Sequence, residues 1–289
     1  MDISSKGSRV LASTADQIVF VDRGDRQLSG TLYRPSGPGP FPAIVAVHGG
    51  GWRLAPKDAF AYLGPWLAAR GYVVFAPSYR LADAQAASYP AAVHDIRAAL
   101  QFLRARAEEY AVVPERLALL GESSGGHLAC LAALAGDRPS FTDTRPNSAL
   151  EEWPSTVKAA IAVYGIFDLA AQWQHDQRVR FDDHIVERFL GERLTADRQL
   201  YFDASPLSYV TSRRKETAFL LSWGTHDDVV EPATQSEAFL LALKQAGQFV
   251  RAVPVAGAGH YWLSEPLDEP GSFSGFFARR LERFLAARL

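Results

Sequence analysis

The sequence has one cysteine, Cys130, in 289 residues. That excludes an intrachain disulfide and any cysteine-based zinc cluster, so chemistry in this chain must rest on oxygen and nitrogen groups or on a bound ion. Charge of neither sign prevails. Thirty Lys and Arg stand against 32 Asp and Glu, for a net charge of −2. With no long run of either sign, neither a nucleic-acid groove nor a polybasic membrane anchor is expected. No uninterrupted apolar run approaches the roughly 20 residues of a membrane span. The opening Met1–Gly7 lacks an apolar stretch suited to a signal peptide, and a soluble, cytoplasmic protein is the expectation. Internal repeats are missing, and the one biased tract, Pro35–Pro40, reads as a tight loop. What is present is 48% apolar residues, ample for a large core. The length admits two domains at roughly 150 residues each or one large α/β domain.

Strand-like and helical segments alternate along the chain. Gln17–Asp22 and Leu28–Tyr33 flank a polar turn and suggest a β-hairpin. Ala43–Val47 is continuously apolar, as a strand buried on both faces should be. Tyr72–Ala76, Leu117–Leu120, Val157–Tyr164, Phe219–Trp223 and Phe249–Val255 complete the strands. Helices are expected over Tyr62–Arg70, Pro90–Tyr110, Gly125–Ala135, Pro232–Gln245 and Phe273–Leu289. In the second of these, Val93, Ile96, Leu100 and Leu103 form one stripe, while Asp95, Gln101 and Arg104 face away. Such alternation implies a mostly parallel sheet covered on both faces. Gly136–Ser155 reads as a polar surface loop. Ala170–Glu216 is too long for a simple crossover, so a small helical insertion over the carboxyl edge of the sheet is expected.

Gly121-Glu122-Ser123-Ser124-Gly125 fits the G-x-S-x-G pattern. Alone it is a weak signal, and a glycine-rich strand–helix turn also suits phosphate binding. Its setting between a buried strand and a helix is that of a nucleophile elbow. His48-Gly49-Gly50-Gly51-Trp52 follows another strand, and its glycines can turn backbone N–H groups toward a developing oxyanion. A serine nucleophile needs a base and an orienting carboxylate. Gly224-Thr225-His226-Asp227-Asp228 and Gly257-Ala258-Gly259-His260 follow the last two strands, at the sheet edge where Ser123 lies.

Together, His48–Trp52, Tyr79-Arg80, Gly121–His127, Gly224–Asp227 and Gly257–His260 resemble the carboxylesterase branch of the α/β-hydrolases, which includes the hormone-sensitive-lipase-like and BD-FAE-like esterases. The resemblance runs from about Gly30 to the C-terminus. It implies an α/β-hydrolase fold: one domain with a mostly parallel eight-stranded sheet, helices on both faces and a small lid-like insertion at about 170–216. It also implies Ser123 as nucleophile, His260 as base and Asp227 as orienting acid, with the N–H groups of Gly50, Gly51 and Ser124 as the oxyanion hole. No cofactor or metal is implied. Glu122 departs from the lipase-like branch, which usually has Asp there. The short lead-in, the insertion and Ala204-Ser205-Pro206-Leu207 look more like the capless BD-FAE-type and aryl-formamidase-type members.

Asp228 rivals Asp227 for the acid role, the motif favouring Asp227. His226 is expected to line the turn, His127 to be structural and Cys130 to be a buried inert thiol. Arg80 is expected to pair with Asp95. Trp52, Trp173, Phe181, Tyr261 and Trp262 are candidates for the walls of a substrate pocket. The expected activity is hydrolysis of small, short-acyl or aryl esters through an acyl-enzyme. An aryl formamidase, or another amide hydrolase with the same triad, is the alternative, and a non-catalytic ligand-binding protein is the rival from another class. The partner is then a small-molecule ester, with the edge strand or the last helix available to pair two copies.

Overall fold

From Ala43 to Val47 every residue is buried, and only a strand covered on both faces can bury five consecutive side chains that point alternately up and down. A computed structural model describes residues 13–56, 59–141, 150–213 and 216–289. It places this strand, β3 (Phe41–Val47), inside an eight-stranded sheet. The other strands are β1 (Ser13–Asp22), β2 (Gln27–Pro35), β4 (Val73–Pro77), β5 (Val112–Glu122), β6 (Ala159–Val163), β7 (Ala218–Gly224) and β8 (Val250–Val255), and the spatial order is β1-β2-β4-β3-β5-β6-β7-β8. β1 and β2 form the expected hairpin, β2 also pairs antiparallel with β4, and every remaining pair is parallel.

Alternate residues of the strands feed different cores. Val45, Val47, Phe75 and Leu119 pack with helices α2 (Ala91–Ala105) and α3 (Ser124–Ala135). On that same face α7 (Ser236–Gln245) covers Phe219 and Leu221 through Phe239 and Leu243. Ile44, Val74, Leu120 and Ile161 face the opposite way, onto α1 (Leu63–Ala68) and α8 (Phe273–Arg288). The insertion folds into α4 (Leu169–Val179), α5 (Ile185–Leu190), α6 (Arg198–Asp203) and a 3-10 turn at Pro206–Tyr209. Phe189 and Tyr201 from this segment are fully buried and share a core with α2 and α3.

One expectation fails on α2. Asp95, Gln101 and Arg104 do not face solvent but are buried. Periodicity registers that a side chain is polar, not that it has partners. Asp95 receives Arg80, through Nε and Nη2 at 2.8 Å, and also Arg23. The Arg80–Asp95 pair itself is as the sequence suggests. Arg104 donates to the carbonyls of Pro114, Pro154 and Thr156, and desolvation pulls its pKa down to about 10. Gln101 donates to the carbonyl of Trp153. The segment read as a surface loop therefore covers α2 with its described ends. Phe141 and Ser155 are buried and both bond Arg97. Residues 142–149 of that loop lie outside the described residues.

Candidate active site

β5 runs straight into the elbow. Ser123 caps α3 with φ 51° and ψ −123°, a region side-chain-bearing residues rarely enter. The turn is possible because its flanks are glycine. A Cβ on Gly125 would stand 2.1 Å from the Val47 carbonyl oxygen, and one on Gly121 would stand 2.2 Å from that of Gly125. The elbow thus presses backbone to backbone against the end of β3, which brings the His48–Trp52 loop beside Ser123.

Two further loops meet it. His260 Nε2 lies 3.0 Å from Ser123 Oγ, and His260 Nδ1 lies 2.7 Å from Asp227 Oδ2. A carboxylate only accepts, so the ring proton sits on Nδ1 and Nε2 is left to accept from the serine hydroxyl. Asp227 Oδ1 accepts the N–H groups of Val229 and Val230 at 3.0 and 2.9 Å. These bonds fix the carboxylate from behind. The side chains of His260 and Asp227 are 1% and 0% exposed. Asp228 is exposed instead, with its carbonyl bonded to the His175 ring, and His226 is exposed as well.

The glycine loop is tightly organised. Gly50 has φ 104° and its carbonyl accepts from Arg53 and Leu54. Tyr79 Oη donates to the His48 carbonyl at 3.0 Å, and the Gly49 N–H points at Glu122 Oε1 at 3.4 Å. Glu122 is buried, and its Oε2 accepts the Tyr164 hydroxyl at 2.6 Å. Burial pushes the Glu122 carboxyl up, while these two bonds and the nearby His260 pull it back.

The pocket walls match the expectation only at Tyr261. A cleft of about 550 Å³ opens over Ser123 and is walled by Leu54, Pro56, Ala59, Tyr62, Tyr261 and Ser264. Trp52 is fully buried, stacked on Phe189 at 4.4 Å, with its N–H directed to His127. Trp262 is buried edge-on against Tyr164 and Phe277. Trp173 donates to Glu187 within the insertion, and Phe181 is two-thirds exposed against His184. None of the four lines the cleft. Proximity in sequence to a catalytic turn does not fix side-chain direction: at φ 57° Trp52 turns into the core while its neighbours Gly50 and Leu54 reach the cleft. Tyr261, next to His260, is the one aromatic candidate of the sequence that does line the cleft, whereas nothing in the composition or motifs marks Leu54 and Tyr62. Among the described residues no group of three or more His, Cys, Asp or Glu side chains is placed to hold a metal ion. None of the described helices is long and apolar enough to cross a membrane.

His127 has the structural role expected of it. Trp52 Nε1 donates to its Nδ1 at 3.2 Å, so Nε2 carries the proton and donates to the Ala204 carbonyl at 2.8 Å. Complete burial pushes this imidazole down to about 4, from an ordinary value of 6.5. Between those two values the unfolded chain takes up a proton that the native state refuses, so stability falls as pH falls through that window. At pH 4.5 the expected loss from this group is about 2 kcal/mol relative to pH 7. Urea unfolding of the wild type and of His127→Gln at both pH values checks it. The variant should lose less stability by about that amount, and an equal loss in both would disprove the assignment.

A model of the BD-FAE family matches residues 31–243. Esterase LipQ of Mycobacterium tuberculosis is 31% identical over 243 residues, which are 83% of this chain and 54% of that protein. Kynurenine formamidase of Danio rerio is 26% identical over 82% of this chain and 71% of that one. The chain spans about half the length of the mycobacterial relatives it matches. A propionate-bound thermophilic esterase from the planctomycete Thermogutta terrifontis superposes with a TM-score of 0.76 at 24% identity, over 94% of each chain. With a family match across most of its length and a shared architecture throughout, the chain belongs to the BD-FAE family and has the α/β-hydrolase fold.

Proposed function

We propose that this chain is a serine carboxylesterase, a single catalytic domain hydrolysing small, short-acyl or aryl esters. One observation carries the reading: the continuous chain Ser123 Oγ, His260 Nε2, His260 Nδ1, Asp227 Oδ2, with links of 3.0 and 2.7 Å, opening onto a cleft. His260 accepts the serine proton as Ser123 attacks the ester carbonyl, and Asp227 steadies the imidazolium. The N–H groups of Gly50, Gly51 and Ser124 receive the oxyanion. His260 then returns the proton to the departing alcohol, and water attacks the acyl-enzyme by the same route in reverse. The apolar and aromatic walls Leu54, Tyr62 and Tyr261 suit an uncharged acyl or aryl group. A relative named esterase and a solved neighbour that is an esterase with propionate bound are consistent with this chemistry.

Formamide hydrolysis is the second reading, favoured by the match to a kynurenine formamidase, since one triad serves both bonds. A cytoplasmic setting and pairing through the exposed β8 edge belong to the same proposal. Hydrolysis rates on p-nitrophenyl acetate, butyrate and octanoate, on phenyl acetate and on N-formylkynurenine test it, together with stoichiometric labelling by a fluorophosphonate. Fastest turnover on acetate or butyrate is expected. Faster turnover of N-formylkynurenine would transfer the assignment to the formamidase, and a folded chain that neither labels nor hydrolyses would make it a binding protein.

A further inference from the structure

β6 is followed at once by a residue the triad does not explain. Tyr164 has φ 39°, a strained value for an aromatic residue, and it is fully buried. A buried phenol is costly unless its hydroxyl is bonded, and this one is bonded twice. It accepts the Leu263 N–H at 3.2 Å and donates to Glu122 Oε2 at 2.6 Å. Its ring lies 4.4 Å from the His260 imidazole, with Trp262 edge-on at 5.3 Å. Glu122 in turn accepts the Gly49 N–H. A single hydrogen-bonded line therefore joins the loop that carries His260 to the loop that carries the glycines, by way of Tyr164 and the residue preceding Ser123.

We propose that Tyr164 is a positioning residue of the hydrolytic site, its ring seating His260 and its hydroxyl tying Glu122 and the glycine loop to the histidine loop. The proposal rests on the serine-esterase reading. It assigns the strained backbone at Tyr164 to the site rather than to packing. A leucine or phenylalanine would fill the same space without needing the two hydroxyl bonds. It also explains why Glu122, a second carboxylate, is retained under burial. From there it acts electrostatically on His260 while its own bonds keep it in place.

The charged and titratable groups around this pair are few. Asp227 faces His260 from the loop after β7. Glu122 approaches from the end of β5, and Tyr164 from the end of β6. Tyr261 lies beside His260 on its own loop. Tyr79, from the segment after β4, interacts electrostatically with Glu122, as Asp227 does with Tyr164. Burial pushes the phenols of Tyr79 and Tyr164 up, so they stay neutral. An anionic Glu122 favours the imidazolium, and Glu122→Gln removes that attraction, so the acid limb of kcat/KM should move to lower pH. Tyr164→Phe removes the bond that holds the Glu122 carboxyl down. Glu122 is then neutral over a wider range, and the limb should move the same way.

The test compares wild type, Tyr164→Phe, Glu122→Gln and the double variant on p-nitrophenyl butyrate, each normalised to fluorophosphonate-titrated sites. Tyr164→Phe should lower kcat about 10- to 100-fold with KM within about threefold. The acid limb should shift down by roughly half a pH unit or more, and Tyr164→Phe should add no further shift on the Glu122→Gln background. Normalised kcat within twofold and an unmoved limb in Tyr164→Phe would overturn the proposal, as would shifts that simply add in the double variant. If Tyr164→Phe does not fold, Glu122→Gln alone must still move the limb, and an unmoved limb there is equally decisive. A wild type that neither labels nor hydrolyses defeats the esterase reading itself. An active wild type with an indifferent Tyr164→Phe defeats only this proposal.

Discussion

Ser123→Ala should lower kcat on p-nitrophenyl butyrate by roughly 10⁵- to 10⁶-fold and abolish fluorophosphonate labelling, with little change in thermal midpoint. The change removes one oxygen from a residue that is 9% exposed and whose backbone is held by its N–H bond to the Val163 carbonyl, so the elbow keeps its shape. His260→Ala should cost about as much, and the two together no more than either, because in the proposed mechanism base and nucleophile act as one unit. The adjacent aspartates provide the sharper contrast. Asp227→Asn leaves the shape of the carboxylate but not its charge, and it permits the wrong histidine tautomer, for an expected loss of about 10⁴ in kcat. Asp228→Asn, at an exposed side chain, should stay within about twofold. Steady-state kinetics normalised to protein concentration checks the four single variants and the double one. A large loss at Asp228 with retention at Asp227 would exchange the two roles and would contradict the 2.7 Å contact to His260.

Part of that contrast is already written in the sequence. The three triad positions follow strands, and strand ends in a parallel sheet share an edge, so their meeting is a consequence of the alternation of strand and helix. Asp227 over Asp228 rested on motif resemblance. The structure supplies the physical reason: Asp227 alone turns inward and accepts the Val229 and Val230 N–H groups. Arg80 with Asp95 was legible because both residues sit next to well-marked elements. The remainder of α2 was not, since the carbonyls that satisfy Arg104 come from Pro154 and Thr156, about 50 positions away. Trp52 and Trp262 misled because a tight turn sends neighbouring side chains in opposite directions. Tyr261 sits beside a motif and could be read, whereas Pro56, Ala59 and Tyr62 come from a segment that carries none. Tyr164 was invisible as a site residue for a similar reason: its strain is a backbone property, and Tyr-Gly after a strand is an ordinary pair of residues.

The insertion bears directly on the glycine loop, and Gly51→Ala shows how. At φ 61° alanine already costs about 1–2 kcal/mol of backbone strain. Its Cβ would also stand 2.2 Å from Ile185 Cδ1 at the start of α5. Trp52 stacks on Phe189 of the same helix, and Arg53 grips Asp183 just before it with both terminal nitrogens. Three consecutive loop residues are therefore held by one short segment, and a methyl group wedged between them must displace either the loop or Ile185. Losing one aligned oxyanion donor costs about 100-fold or more in kcat, so Gly51→Ala should fall about that far, mainly in kcat. Because the clash is with the end of a side chain, Ile185→Ala in the same protein should restore activity to within about tenfold of wild type. The backbone strain, which no neighbour relieves, accounts for the part that stays lost. Ile185→Ala alone should change kcat by less than fivefold, since it leaves the Arg53–Asp183 and Trp52–Phe189 contacts intact. Kinetics on the three variants separates two roles for the insertion. If it buttresses the oxyanion loop, rescue by Ile185→Ala is specific to the Gly51 variant. If it instead moves freely over the cleft, the wedge is accommodated, and Gly51→Ala alone stays within about tenfold of wild type, with no further gain from Ile185→Ala.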